Sequence, residues 1–144
     1  MLQPLKNETV ASLLRRYCPQ LAESKIEQIT SLAKGSVGKA IVFADMDAAT
    51  RCNQLCSLVY AQQNIKIGDL NDFANEMSKT AETFELAKEL IFEFISNNIQ
   101  TSDNGIDLAD YYMDCVRIFR DAENLNFDKK QTLIRVITTL ARKI

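Results

Sequence analysis

Histidine is absent from this 144-residue chain. No side chain therefore has its ordinary pKa near neutrality, and the commonest general base and commonest metal ligand are missing. No nucleophile motif and no pair of carboxylates in a Gly-rich setting takes their place. The sequence reads as non-enzymatic, with no catalytic residues, no metal, no cofactor and no small-molecule substrate. Helix breakers are also scarce, with four glycines, two prolines and no proline after Pro19, whereas an average chain carries about 12% of the two together. Such a composition favours helices. Neither sign of charge dominates, with 17 basic against 19 acidic residues, so no whole-molecule attraction to nucleic acid or anionic membrane is indicated. Nothing approaches the roughly 20 apolar residues of a membrane span, and MLQPLKNETV lacks the apolar core of a signal peptide. The expectation is a soluble, cytoplasmic protein without membrane contact.

The length suits one ordinary domain or two small helical units sharing an interface. Of the four cysteines, Cys52 and Cys56 are spaced i,i+4 on one helix face, unlike the C-x-x-C knuckle of structural zinc sites. All four, with Cys18 and Cys115, are expected to be buried, reduced thiols. The stretch LAKGSVGKAI (32–41) holds a Gly-Lys pair, which invites comparison with a phosphate-binding loop. That loop needs G-x-x-x-x-G-K-[ST], so that backbone N–H groups converge on phosphate and a hydroxyl holds Mg²⁺. Here Ala33 stands in place of the first glycine and Ala40 in place of the hydroxyl, so the match fails twice.

Periodicity predicts helices throughout and no strand. Asn7 is expected to cap a first helix with Val10, Leu13, Leu14 and Tyr17 inward, ended by Pro19. A second helix starts from a Ser24–Glu27 capping box and ends at Gly35, a left-handed C′ residue, and Ser36 caps a third helix in GKAIVFA. Gly38 and Ala40 are read as small residues for close helix approach. Beyond Asp45–Asp47, helices are expected near 48–62, near 69–78 capped by Asp69, over 80–98 as a central helix, near 106–123 with Leu108, Tyr112, Cys115, Val116 and Phe119 inward, and in a final segment with Leu133, Val136, Ile137 and Leu140 inward. A polar loop, 98–105, precedes the helix at 106. Acids dominate 69–107 and bases dominate 128–144, and this suits either solvated faces or complementary assembly surfaces.

Three features in order, LQPL before a short helix, the corner LAKGSVGKAI and the closing AENLNFDKKQ, resemble the C-terminal part of the delta prime subunit of bacterial DNA polymerase III, a clamp-loader subunit. The resemblance covers essentially the whole chain and implies an all-α fold, with a three-helix AAA+ lid at 1–46 and a five-helix collar-type bundle at 47–144. In the ATPase relatives of that loader, the third lid helix begins G-S-x-R-D-A, and its arginine, sensor 2, reaches the nucleotide. This chain has Gly38 there, so Gly35, Ser36, Gly38, Lys39 and Ala40 look like a degenerate sensor-2 motif. Lys39, about 100° further round the helix, does not substitute for the arginine. The family's AAA+ core is not in this sequence, which implies a fragment beginning at the lid, and the four cysteines do not map onto that core's zinc site.

The resemblance implies a non-catalytic assembly module that holds clamp-loader subunits together for sliding-clamp loading in DNA replication. Its partners would be ATPase and delta-type subunits, bound through the collar, with DNA touched at most indirectly. Phe92, Phe94, Tyr111, Asn124, Asn126, Lys129 and Lys130 are the candidate assembly surface, and which of Phe92, Phe94 and Tyr111 faces a partner and which the core stays open. Two other readings stand beside it: a free-standing helical adaptor or DNA-binding domain, and the matching fragment of an ATPase subunit, which Gly38 opposes.

Overall fold

Scarce breakers leave long uninterrupted helices. The computed structural model describes residues 6–101, 103 and 105–144. The LQPL stretch at 2–5 and positions 102 and 104 of the expected polar loop lie outside them. The described residues form eight α-helices: α1 Asn7–Tyr17, α2 Glu23–Ala33, α3 Val37–Asp45, α4 Ala48–Tyr60, α5 Ile67–Met77, α6 Ala81–Thr101, α7 Gly105–Asn124 and α8 Lys129–Lys143, with a 3₁₀ turn at Gln62–Asn64. There is no strand among them, and none of the helices is long and apolar enough to cross a membrane. The chain is all-α. It divides into two compact units, Met1–Cys52 and Asn53–Ile144, and the division falls inside α4.

In the first unit α1, α2 and α3 all touch one another. Val10 and Leu14 of α1, Ile26, Ile29 and Leu32 of α2 and Ala40 and Phe43 of α3 form its core. Cys18, the residue before Pro19, leaves the helical region (φ −130°, ψ 67°) and ends α1, as the clash with the proline ring requires. Three expected details differ. Tyr17 in the last turn is 67% exposed and Leu13 only half-buried, because the buried line of α1 runs through Val10 and Leu14. The N-cap of α1 is Lys6, which leaves Asn7 inside the helix. Ala22 caps α2, so the Ser24–Glu27 box does not form, and neither cap makes a side-chain hydrogen bond. Arg15 and Glu23 instead tie the ends of α1 and α2 together, both guanidinium contacts being 2.9 Å. That hydrogen-bonded pairing holds the arginine pKa above and the carboxylate pKa below their ordinary values.

In the second unit α6 is the central helix. It packs against α5, α7 and α8, and Phe84, Leu86, Ala87, Leu90, Ile91, Phe94 and Ile95 are all buried, the broad stripe that several neighbours demand. The helix runs three residues past 98, and near its end Asn98 Nδ2 donates to Phe94 O at 2.8 Å and Thr101 Oγ1 to Asn97 O at 3.3 Å. Helix α5 begins at Ile67, two residues before Asp69. The N-cap is Lys66, and Asp69 lies in the first turn, where its charge faces the positive end of the helix dipole. On α8, Leu133, Val136, Ile137 and Leu140 are fully buried, each worth about 1.5–3 kcal/mol of transfer free energy. Burial works against the charge of Lys88, yet its ion pairs with Glu85 (2.8 Å) and Glu123 of α7 (3.3 Å) more than offset this and raise its pKa.

The inward line of α7 is Leu108, Tyr111, Cys115, Phe119 and Ala122. Val116 was expected inward but is 40% exposed, and Tyr112 is half-buried. Residue 116 sits about 100° round the helix from Cys115, off the line shared by 108, 115 and 122. Cys115 is the one fully buried cysteine. Cys18, Cys52 and Cys56 are half-buried, which corrects the expectation for those three, and none of the four is in a disulfide. Burial pushes the Cys115 thiol up to about 11 and the Tyr111 phenol well above its ordinary range, so both stay protonated at neutral pH.

Gly105 opens α7 beneath the end of α6. A Cβ there would stand 2.7 Å from the carbonyl oxygen of Ile99, a backbone atom that cannot swing aside. Gly68 in α5 has open space instead. Gly105→Ala is expected to destabilise the protein by about 1–3 kcal/mol, the usual cost of overpacking, and Gly68→Ala to stabilise it by up to about 1 kcal/mol. Urea unfolding followed by circular dichroism measures both, and equal behaviour of the two variants would contradict the close approach.

Candidate functional site

The sequence motifs fall on two helix corners. At the first, Lys34 (φ 50°) and Gly35 (φ 85°) both adopt left-handed backbone, the conformation that lets a chain leave a helix and turn sharply. Ser36 N–H donates to Ala33 O at 3.0 Å. The Ser36 side chain then accepts from the Lys39 N–H at 3.2 Å, capping α3 as its position predicts. Ala40 is fully buried, so its small size serves packing. Gly38 is exposed, and a Cβ on it would meet only the Ser36 hydroxyl, at 3.9 Å. The close-approach reading is thus right for Ala40 and wrong for Gly38, which no neighbour within its unit constrains. Lys39 is exposed in the first turn of α3.

At the second corner Asn126 (φ 56°) takes the left-handed position after α7, and Phe127 N–H donates to Ala122 O at 3.1 Å. This is the six-to-one hydrogen bond of a Schellman motif. Asp128 then accepts from Gln131 N–H at 3.0 Å to cap α8. Asn124 and Asn126 are exposed, and the conformation of Asn126 gives it a structural role at the turn.

The expected assembly surface separates into exposed and buried members. Phe94 is 6% exposed and stacks on Tyr60 at 5.3 Å, and Tyr111 is 4% exposed and donates its hydroxyl hydrogen to Val136 O at 3.2 Å. Both are core residues, the core alternative of the two left open for them: on α6 and α7 they fall on the buried lines. Phe92 is half-buried between Tyr112 (4.9 Å) and Phe119 (5.6 Å). Phe119 in turn meets Phe84, over whose ring the Lys129 ammonium sits at 5.6 Å. Phe92 and Lys129 are therefore linked by a run of ring contacts, and Lys130 beside them is half-buried.

No protein-family model, curated protein or solved structure matches this chain. Among the described residues no group of three or more acidic or cysteine side chains is arranged to hold a metal. An open cleft of about 520 Å³ between α1 and α2 is lined by Asn7, Ser12, Arg15, Glu27 and Thr30 among others, and the Thr30 hydroxyl is buried without a hydrogen-bond partner. Its only strong cation, Arg15, is already held by Glu23.

Sequence reasoning missed a different feature. Ile106, Met113 and Val116 of α7 are 82%, 65% and 40% exposed. The signal was present: Ile106 and Met113 are seven residues apart and lie on the face opposite Cys115, which a strict helical-wheel count over the whole helix separates from the core line.

The corner at Gly35–Ala40 yields a paired expectation. Ser36→Ala, which removes the cap, should cost about 1 kcal/mol. Gly38→Arg should leave stability unchanged or raise it by up to about 1 kcal/mol, because glycine is the weaker helix former. Thermal unfolding of both variants measures this, and a large loss with Gly38→Arg would mean that the position is packed.

Proposed function

We propose that this chain is a non-catalytic assembly module of a replicative clamp loader, the lid and collar of a delta prime type subunit, and that its second unit makes the contact with sister subunits. The observation that carries the reading is Gly38. It lies in the first turn of a helix capped by Ser36, where the ATPase relatives carry their sensor arginine, and a Cβ on it would make only an ordinary contact with the Ser36 hydroxyl at 3.9 Å. Packing within the unit does not demand glycine there, so the missing cation fits a subunit that has no nucleotide to read.

Further support comes from the second corner, where Asn124, Leu125 and Asn126 turn the chain into a capped final helix, the place at which that family closes its collar. The absence of histidine from the sequence agrees with a structural rather than catalytic task. The reading implies a cytoplasmic location and contact with DNA only through the assembled loader.

Purified full-length chain, mixed with ATPase and delta-type clamp-loader subunits, is expected to co-elute with them on size exclusion with light scattering. Calorimetric titration of the chain alone with Mg-ATP should give no binding heat. A folded chain that elutes alone would contradict the reading and favour an independent helical adaptor, and micromolar ATP binding would contradict it from the other side.

A further inference from the structure

Helix α7 carries a second apolar line besides the one it buries. Ile106, Ala109, Met113 and Val116 follow the spacing i, i+3, i+7, i+10, the seam of a helix that packs against another helix. All four are exposed. Single exposed apolar side chains are ordinary on a protein surface, but four in register along roughly 15 Å of one helix form a stripe wanting cover. The residues that α7 does bury, from Leu108 to Ala122, face the opposite way.

Charge borders the stripe on one flank. Asp107, Asp110 and Asp114 are exposed and repeat the same spacing one step round the helix, while Arg117 and Arg120 follow in its C-terminal half. Asp107 in the first turn is favoured by the helix dipole. Asp110 and Asp114 stand further along the helix; Arg117 continues their line and pairs with Asp114 at 3.5 Å, which leaves Asp107 and Asp110 as the acidic part of the border. In paired helices such flanking charges select the partner and its orientation.

We infer that the outer face of α7, through Ile106, Ala109, Met113 and Val116, docks an amphipathic helix of another helical domain, whose apolar stripe is bordered by Lys or Arg that meets Asp107 and Asp110. A second copy of this chain is the poorer occupant. An antiparallel pair registered to bury all four residues would set the Asp110 flank of one copy against the same flank of the other, and like charges so placed cost affinity. A basic border on the partner reverses the sign. The identification of that partner as a sister clamp-loader subunit rests on the proposed function; the surface itself does not.

The test uses the full chain and two substitutions at exposed positions, which circular dichroism should show to be folded: Met113→Glu in the stripe, and Ile67→Glu on α5, 76% exposed and outside it. In fluorescence anisotropy with the ATPase and delta-type subunits, Met113→Glu is expected to weaken binding by about tenfold or more, as a charge at a central anchor does, and Ile67→Glu by less than about twofold. Equal effects of the two would overturn the inference. A second arm needs no natural partner: a helical peptide with leucines at the same spacing and lysines along one flank, and its counterpart with glutamates there. The lysine peptide should bind the wild-type chain, more weakly as salt rises, and should fail with Met113→Glu, while the glutamate peptide should not bind. If wild type ignores the clamp-loader subunits but takes the lysine peptide, the proposed function fails and the surface stands. If neither peptide binds, or both bind alike, the surface fails. A chain that dimerises in light scattering, and becomes monomeric with Met113→Glu, would show a second copy as the occupant and overturn the inference.

Discussion

The second unit depends on one close approach, the turn from α6 into α7. A Cβ on Gly105 would stand 2.7 Å from the Ile99 carbonyl oxygen, and its absence lets a 21-residue helix and a 20-residue helix lie against each other. Phe84 and Phe92 of α6 meet Phe119 of α7 edge-on at 5.7 and 5.6 Å, a geometry that adds about 0.5–1.5 kcal/mol per pair beyond area burial. Lys88 bridges the same two helices at their other end through Glu123. Once α6 and α7 are paired, α8 closes over both, and the Tyr111 hydroxyl reaches its backbone. The outward face of α7 follows from the same pairing: fixing Leu108, Cys115 and Ala122 inward fixes Ile106 and Met113 outward.

Both conspicuous motifs turn out to be solutions to one problem, reversing the chain with little glycine and no proline after residue 19. Each uses left-handed residues at a helix end and a side-chain cap at the next helix start: Gly35 followed by Ser36, and Asn126 followed by Asp128. A Gly-Lys pair at a helix N-terminus thus has an adequate conformational explanation without a phosphate. What conformation leaves unexplained is Gly38, a helix-disfavouring residue with room for a Cβ, and the exposed apolar line on α7. The proposed assembly role rests on these two features.

Much of the fold was legible in the sequence because helix signals are local. The buried lines of α6 and α8 follow the 3.6-residue period, and Pro19, Gly35 and Ser36 act where local chemistry puts them. Caps were less legible. Asn7, Ser24 and Asp69 were good capping residues that the chain bypassed, since tertiary burial of Val10, Ile26 and Leu70 decides where each helix is worth starting, and a cap of about 1 kcal/mol does not override it. The misreading on α7 was a matter of phase. Val116 and Tyr112 are as apolar as Tyr111, and only the partner helices determine which of two adjacent lines turns inward. For the same reason the sequence leaves Phe94 and Tyr111 open between partner surface and core, and each sits on a buried line. Close approaches such as Gly105 to Ile99 join residues whose contact depends on how one helix stops and the next begins, and composition holds no trace of it.

The four methionines of the chain offer a direct measurement. Met113 is 65% exposed on the outer face of α7, Met77 is buried in the second unit, and Met46 follows α3 in the first. With ¹³C-labelled methionine methyl groups, nuclear magnetic resonance of the full chain can be recorded alone and with unlabelled ATPase and delta-type clamp-loader subunits. If the second unit assembles through α7, the Met113 methyl signal moves on addition of the subunits while those of Met46 and Met77 keep their positions. A Met113 signal that stays in place, or a displacement confined to Met46, would contradict assembly through this face.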